Sequence, residues 1–159
     1  VKWVESITSI DDTVLKYVNQ ADEVWHAGDI GNLNVTDLIK KSKPLRAVYG
    51  NIDDTNARME FPLYQRFVCE KVDVLMTHIG GYPEKYSADV QKMIADNPPK
   101  LFICGHSHIL KVQFDKKYNL LHMNPGAVGK SGFHQVRTML RFVIEDENIK
   151  DLEIIEFKK

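Results

Sequence analysis

The chain has 159 residues, with 21 Lys and Arg against 22 Asp and Glu, 43 % apolar and 27 % charged. That balance suits one globular domain over 1–159 and excludes disorder, collagen and coiled coil. A formal net charge of −1 gives no general attraction to nucleic acid or to an anionic membrane.

The two cysteines, Cys69 and Cys104, sit in the apolar runs RFVCE and LFICG, and read as small buried hydrophobes of a reducing compartment rather than a disulfide or a nucleophile. No apolar run approaches the roughly 18 residues of a membrane span, and VKWVES does not resemble a signal peptide. A cytoplasmic location is the expectation.

In chain order, Val1–Val4 reads as a short strand. Asp11 or Asp12 caps a helix with Val14, Leu15, Tyr17 and Val18 at helical spacing. Glu23–Ala27 reads as a buried strand closed by Gly28. A short helix spans Thr36–Lys41, capped by Asn34 or Thr36. Leu45–Tyr49 is a strand entering a Gly50-Asn51 turn. Arg66–Glu70 and Val72–Thr77 are strands, Ser87–Ala95 an amphipathic helix stopped by Asn97-Pro98-Pro99, and Leu101–Cys104 a strand. Leu110–Phe114 and Asn119–Met123 form a hairpin. Thr138–Ile144 and Leu152–Phe157 are strands joined across Glu145–Asn148. Helices and strands alternate early and strands dominate late, which predicts an α/β sandwich with helices outside two sheets.

The polar residues gather at strand ends. Asp29 follows Gly28, Asn51 follows Gly50, His78 ends VDVLMT, and His106 and His108 follow Gly105. Ligands bind at the carboxyl ends of strands in α/β sheets. Imidazole suits Zn, Fe, Mn and Ni, carboxylate and amide oxygens suit harder ions such as Mn, and one carboxylate can bridge two ions that clamp a phosphate. Each piece alone is weak: Gly-Asn is usually a turn, and a lone strand-end histidine is usually hydrogen-bonded. The ordered set is far more specific.

Gly28-Asp29, Gly50-Asn51-Ile52-Asp53, His78, Gly105-His106-Ser107-His108 and Asn124-Pro125-Gly126-Ala127 resemble the motifs of the calcineurin-like metallophosphoesterases. The likeness is to the small single-domain branch of YfcE-type phosphodiesterases and the retromer subunit Vps29, and covers about Asp11 to the end. It implies a four-layer αββα sandwich of two mixed sheets flanked by helices, and a phosphoesterase, most specifically a phosphodiesterase. Two divalent ions are implied, Mn²⁺ first, with Zn²⁺, Fe²⁺ or Ni²⁺ as alternatives. By the same resemblance Asp29 bridges the ions, Asn51, His78 and His106 complete one set, and His108 serves the other. Asn51 and His106 also carry catalysis, with Asn51 able to touch the substrate phosphate.

Two departures from the family pattern stand out. Where the family has Asp-x-His, this chain has Glu5-Ser6-Ile7. Glu5 can replace the Asp as an oxygen ligand, but Ile7 binds no metal. Either the first site is impaired, or this segment is altered and a native Asp-x-His stood there. Ile52 occupies the position of the general-acid histidine of larger members. His134 is then a candidate acid, with His122 a weaker one that reads as a strand residue. His26 reads as a strand histidine or as a group orienting Asp29, and Arg137 as a surface residue or a phosphate-orienting one. The expected partner is a phosphodiester substrate, not a membrane or a nucleic acid held by general charge; self-association stays open. The alternative function is a catalytically impaired, Vps29-like protein-binding scaffold that retains a partial metal site.

Overall fold

Asp11 starts the first helix: its Oδ1 accepts a hydrogen bond from Val14 N at 3.0 Å, satisfying an amide with no partner inside the helix. The computed structural model describes residues 2–4 and 11–159; Glu5 and Ile7 lie outside the described residues. Strand β1 (Lys2–Val4) and helix α1 (Asp12–Asn19) lead into β2 (Val24–His26). Helix α2 (Leu33–Ser42) begins earlier than expected. Asn32 caps it by accepting from Asn34 N at 2.9 Å, while Thr36, buried inside the helix, donates its hydroxyl to Leu33 O.

Strand β3 (Leu45–Ala47) precedes α3 (Thr55–Glu60), a helix absent from the sequence reading. Asp54 caps it, and only Ala57 is buried on it, so it has no apolar stripe to detect. Strands β4 (Tyr64–Cys69) and β5 (Val72–Thr77), the small hairpin β6 (Gly81–Tyr82) and β7 (Lys85–Tyr86), and α4 (Ala88–Asp96) follow. After β8 (Leu101–Ile103), β9 (Leu110–Asp115) pairs with β10 (Leu120–Pro125). The C-terminal hairpin joins β11 (Arg137–Glu145) and β12 (Asn148–Phe157). β12 begins four residues before the expected Leu152. The register shifts between Arg141 and Val143, and Asp151, at φ 54°, absorbs the extra residue as a bulge.

Two five-stranded sheets result, ordered β12-β11-β1-β2-β3 and β4-β5-β8-β10-β9. Each mixes parallel and antiparallel pairs. Trp25, Leu140 and Phe142 of one sheet pack against Val74, Met76 and Ile103 of the other. Val14, Val18, Val35 and Ile39 of α1 and α2 cover the outer face of the first sheet beside Met139 and Ile155. Val90 and Ile94 of α4 cover the second beside Leu75 and Phe102. The order is helix, sheet, sheet, helix, as expected. Cys69 is half-buried and Cys104 buried, with no disulfide between them, and burial pushes the Cys69 thiol up. No helix among the described residues is long and apolar enough to cross a membrane.

Two histidines lie inside this framework. Burial holds His26 and His122 each at a pKa of about 4, and among the described residues His26 Nε2 and His122 Nδ1 lack hydrogen-bond partners. Both are neutral in the fold, whereas in the unfolded chain they take up protons near pH 6.5. Below that pH the unfolded state holds more protons, so stability falls as pH drops from about 6.5 toward 4. Each contributes a slope of up to about 1.4 kcal/mol per pH unit. Urea unfolding of the metal-free chain between pH 7 and pH 5 is expected to show this loss, and His122→Leu to flatten it; an unchanged slope in that variant would refute the assignment.

Candidate metal centre

The strand ends of both sheets deliver the site. Asp29 follows β2, Asn51 lies four residues beyond β3, His78 follows β5, and His106 and His108 lie in the loop after β8. Asp29, His106 and His108 adopt φ values of 55°, 70° and 59°, in the left-handed region uncommon for residues other than glycine. Three of the five residues singled out from strand ends are thus held in costly backbone conformations, a cost that concentrates where function demands it. Gly50 approaches so closely that a Cβ there would collide with the Asp29 carboxylate.

His78 is buried, and its Nδ1 donates to Ala27 O at 2.7 Å. Its Nε2 therefore presents a lone pair, 3.0 Å from Asn51 Oδ1 and 3.2 Å from Asp29 Oδ1. His106 Nδ1 lies 3.0 Å from the same Asn51 oxygen. Ligand atoms of Asp29, His78 and His106 all fall within 4.8 Å of one another. Several acceptor atoms converge, an arrangement that repels unless a proton or a cation lies among them. Nitrogen and oxygen donors of this kind fit a borderline divalent ion. Asp29 and His78 form the buried floor, and Asn51 and His106 the exposed mouth.

Burial alone would raise the Asp29 carboxyl. When protonated, His78 donates to it and pairs with its charge, and with the Ile52 amide and the nearby His106 this outweighs burial, so the carboxyl lies below its ordinary range. Burial, then the neighbouring His134, lowers His108.

Two buried residues hold these loops, and sequence reasoning gave neither a role. Asp53 accepts from Ile30 N (3.0 Å), Gly31 N (2.8 Å) and Gly50 N (2.7 Å), tying the Asp29 loop to the Asn51 loop. Asn124 donates to Gly105 O (3.0 Å) and Ser107 Oγ (3.1 Å) and accepts from Gly126 N, fixing the loop of His106 and His108. Both stand within the quoted motifs, and that was the available signal.

The sequence profile of the calcineurin-like phosphoesterase superfamily domain matches residues 6–147. The chain belongs to that superfamily. No curated protein matches it by sequence. Vps29 from Entamoeba histolytica in complex with Zn²⁺ shares 14% identity over 98% of this chain and 97% of its own, at TM-score 0.73. An archaeal phosphodiesterase shares 16% over 98% of both chains, at 0.75. A predicted phosphoesterase from Streptococcus pneumoniae shares 18% over 98% of this chain and 87% of its own, at 0.70. At such identities the likeness establishes a common fold.

Other candidates of this calcineurin-like chain sit as follows. His134 is buried, with Nε2 donating to Gly129 O at 2.7 Å and Nδ1 3.3 Å from His108 Nδ1. His122 is a buried residue of β10. His26 lies in β2, its Nδ1 accepting from Gly28 N at 3.2 Å. Arg137 is neither a surface residue nor positioned for phosphate. It is buried and donates to Val128 O, Lys158 O and Asp11 Oδ2, anchoring the C-terminus and the α1 cap.

Proposed function

We propose that this chain is a phosphodiesterase that uses two divalent ions, with Mn²⁺ the first expectation. The carrying observation is the convergence of Asp29 Oδ1, Asn51 Oδ1 and His78 Nε2, with His106 beside them, at an open strand-end site. In this reading Asp29, Asn51, His78 and His106 hold one ion. Asp29 and His108 serve the other, with Glu5 as an added oxygen ligand. The bound ions supply charge neutralisation at phosphorus and lower the pKa of the attacking water.

The chain's own groups do the rest. Asn51, at the mouth, offers its amide NH₂ to a phosphoryl oxygen, and His106 borders the space for the organic part of the diester. That space is a cleft of about 520 Å³ lined by Ile79, Tyr82, Ile109 and Lys111. Ile52 offers no proton to a leaving oxygen, so diesters and activated esters with good leaving groups suit the site better than alkyl monoesters.

Hydrolysis of bis-p-nitrophenyl phosphate by the whole chain, with Mn²⁺ and with EDTA, tests this. Turnover should require the ion and fall at least about 100-fold in His106→Ala. Turnover indifferent to EDTA or to that substitution would overturn the reading. A second reading, a protein-binding scaffold, draws on Ile52, 62% exposed beside Asn51, and Phe133, fully exposed beside His134. Ion binding without turnover under any divalent metal would favour it.

A further inference from the structure

The geometry assigns His134 as a metal ligand: with His108 it forms a two-imidazole donor pair for the second ion. This rests on the two-ion reading above and departs from His134 as a proton donor. His134 Nε2 gives its proton to Gly129 O at 2.7 Å, so a neutral ring carries its lone pair on Nδ1. That Nδ1 faces His108 Nδ1 at 3.3 Å. Two nitrogens each about 2.0–2.1 Å from one tetrahedral ion lie roughly 3.3–3.4 Å apart.

The second pair also repeats the geometry of the first. The rings of His108 and His134 lie 5.1 Å apart at 77°; those of His78 and His106 lie 5.2 Å apart at 77°. Room is left beside both nitrogens. Gly132, at φ +121°, has no Cβ, and a Cβ there would sit 2.6 Å from His108 Nδ1 and 3.0 Å from His134 Nδ1. Lys159 Nζ holds this loop by donating to the carbonyls of Gly132 and His134. His108 stands two residues after His106 in the same loop, so the pair adjoins the centre already described.

The remaining histidines are accounted for. His26 Nδ1 accepts from Gly28 N, and His122 is buried in β10. Among the described residues the imidazole beside His108 is that of His134, from the loop after β10, and the donors favour Zn²⁺, Co²⁺ or Ni²⁺ over Mn²⁺ at this position.

Calorimetric titration of Zn²⁺ into the chelator-treated whole chain tests the assignment without reference to turnover. The wild type should bind two ions. His134→Gln should lose one of them, or weaken it more than about 10-fold, and keep the other; His106→Ala should lose the complementary one. Two ions bound with unchanged affinity in His134→Gln would overturn the assignment. A single wild-type ion, lost in His106→Ala and kept in His134→Gln, would overturn it and leave the first ion standing; no binding at all would overturn the two-ion reading with it. Should His134→Gln fail to fold, histidine ring NMR of the wild type decides. His134 Nδ1 must shift with the second equivalent of Zn²⁺, and an unmoved resonance refutes the proposal.

Discussion

Asp29→Asn is expected to weaken divalent-ion binding at the strand-end centre by at least about 100-fold while the chain still folds. Of the described side chains gathered there, only Asp29 carries a formal charge; Asn51, His78 and His106 donate as neutral groups. A pair of unit charges 4 Å apart at an effective dielectric near 20 attracts by about 4 kcal/mol, and a divalent ion doubles this. A 100-fold loss, about 2.7 kcal/mol, is a conservative remainder once desolvation is deducted. Asn is the right replacement because Asp29 sits at φ 55°, which Asn tolerates and Ala resists. The amide oxygen can still accept from Ile52 N, as Asp29 Oδ1 does at 3.3 Å. The apo variant should melt within a few degrees of wild type, and its loss of Zn²⁺ affinity by calorimetry then reports charge rather than unfolding. Affinity within about threefold of wild type would remove Asp29 from the centre.

The strands that build the centre were legible because each is a short apolar run ending in a polar residue, preceded by glycine in all but β5. EVWHA-Gly28-Asp29 and LFIC-Gly105-His106 announce both the strand and what it delivers. The layer order was legible from alternation: Val14 and Val18 at helical spacing, then Val24–His26 as an unbroken buried run. Helix α3 was not legible because it buries one small residue, Ala57, and its only mark is the Asp54 cap. The roles of Asp53 and Asn124 were hidden because each acts on backbone groups brought close only by the fold. Ile30 and Asp53 are 23 residues apart, and no local pattern encodes that contact. Arg137 misled for the opposite reason: an arginine is usually exposed, and here three acceptors from distant segments make its burial affordable. The His134–His108 approach depends on the path of residues 129–134, whose Gly132 permits a contact that spacing alone does not suggest.

Asp53→Ala is expected to cost roughly 3–6 kcal/mol, a large fraction of the about 5–15 kcal/mol that holds a domain folded. The carboxylate satisfies three amides at once, and its bonds to Ile30 N and Gly50 N are buried. Removing it strands those donors where water cannot replace the acceptor, at about 1–3 kcal/mol each, and loses the bond to Gly31 N as well. Asp53→Asn separates stability from positioning. Its single carbonyl oxygen can serve only part of the set, and its NH₂ turns one contact into donor against donor, so it should fold with a smaller loss. Because Ile30 and Gly31 follow Asp29, and Gly50 precedes Asn51, loosening them spreads the two oxygen ligands apart. Asp53→Asn is therefore expected to bind Zn²⁺ more weakly than wild type although Asp53 contacts no ion, with urea midpoints ordered wild type, Asn, Ala. Equal Zn²⁺ affinity in a measurably destabilised Asp53→Asn chain would confine Asp53 to the fold and show that the ligand loops hold their spacing without it.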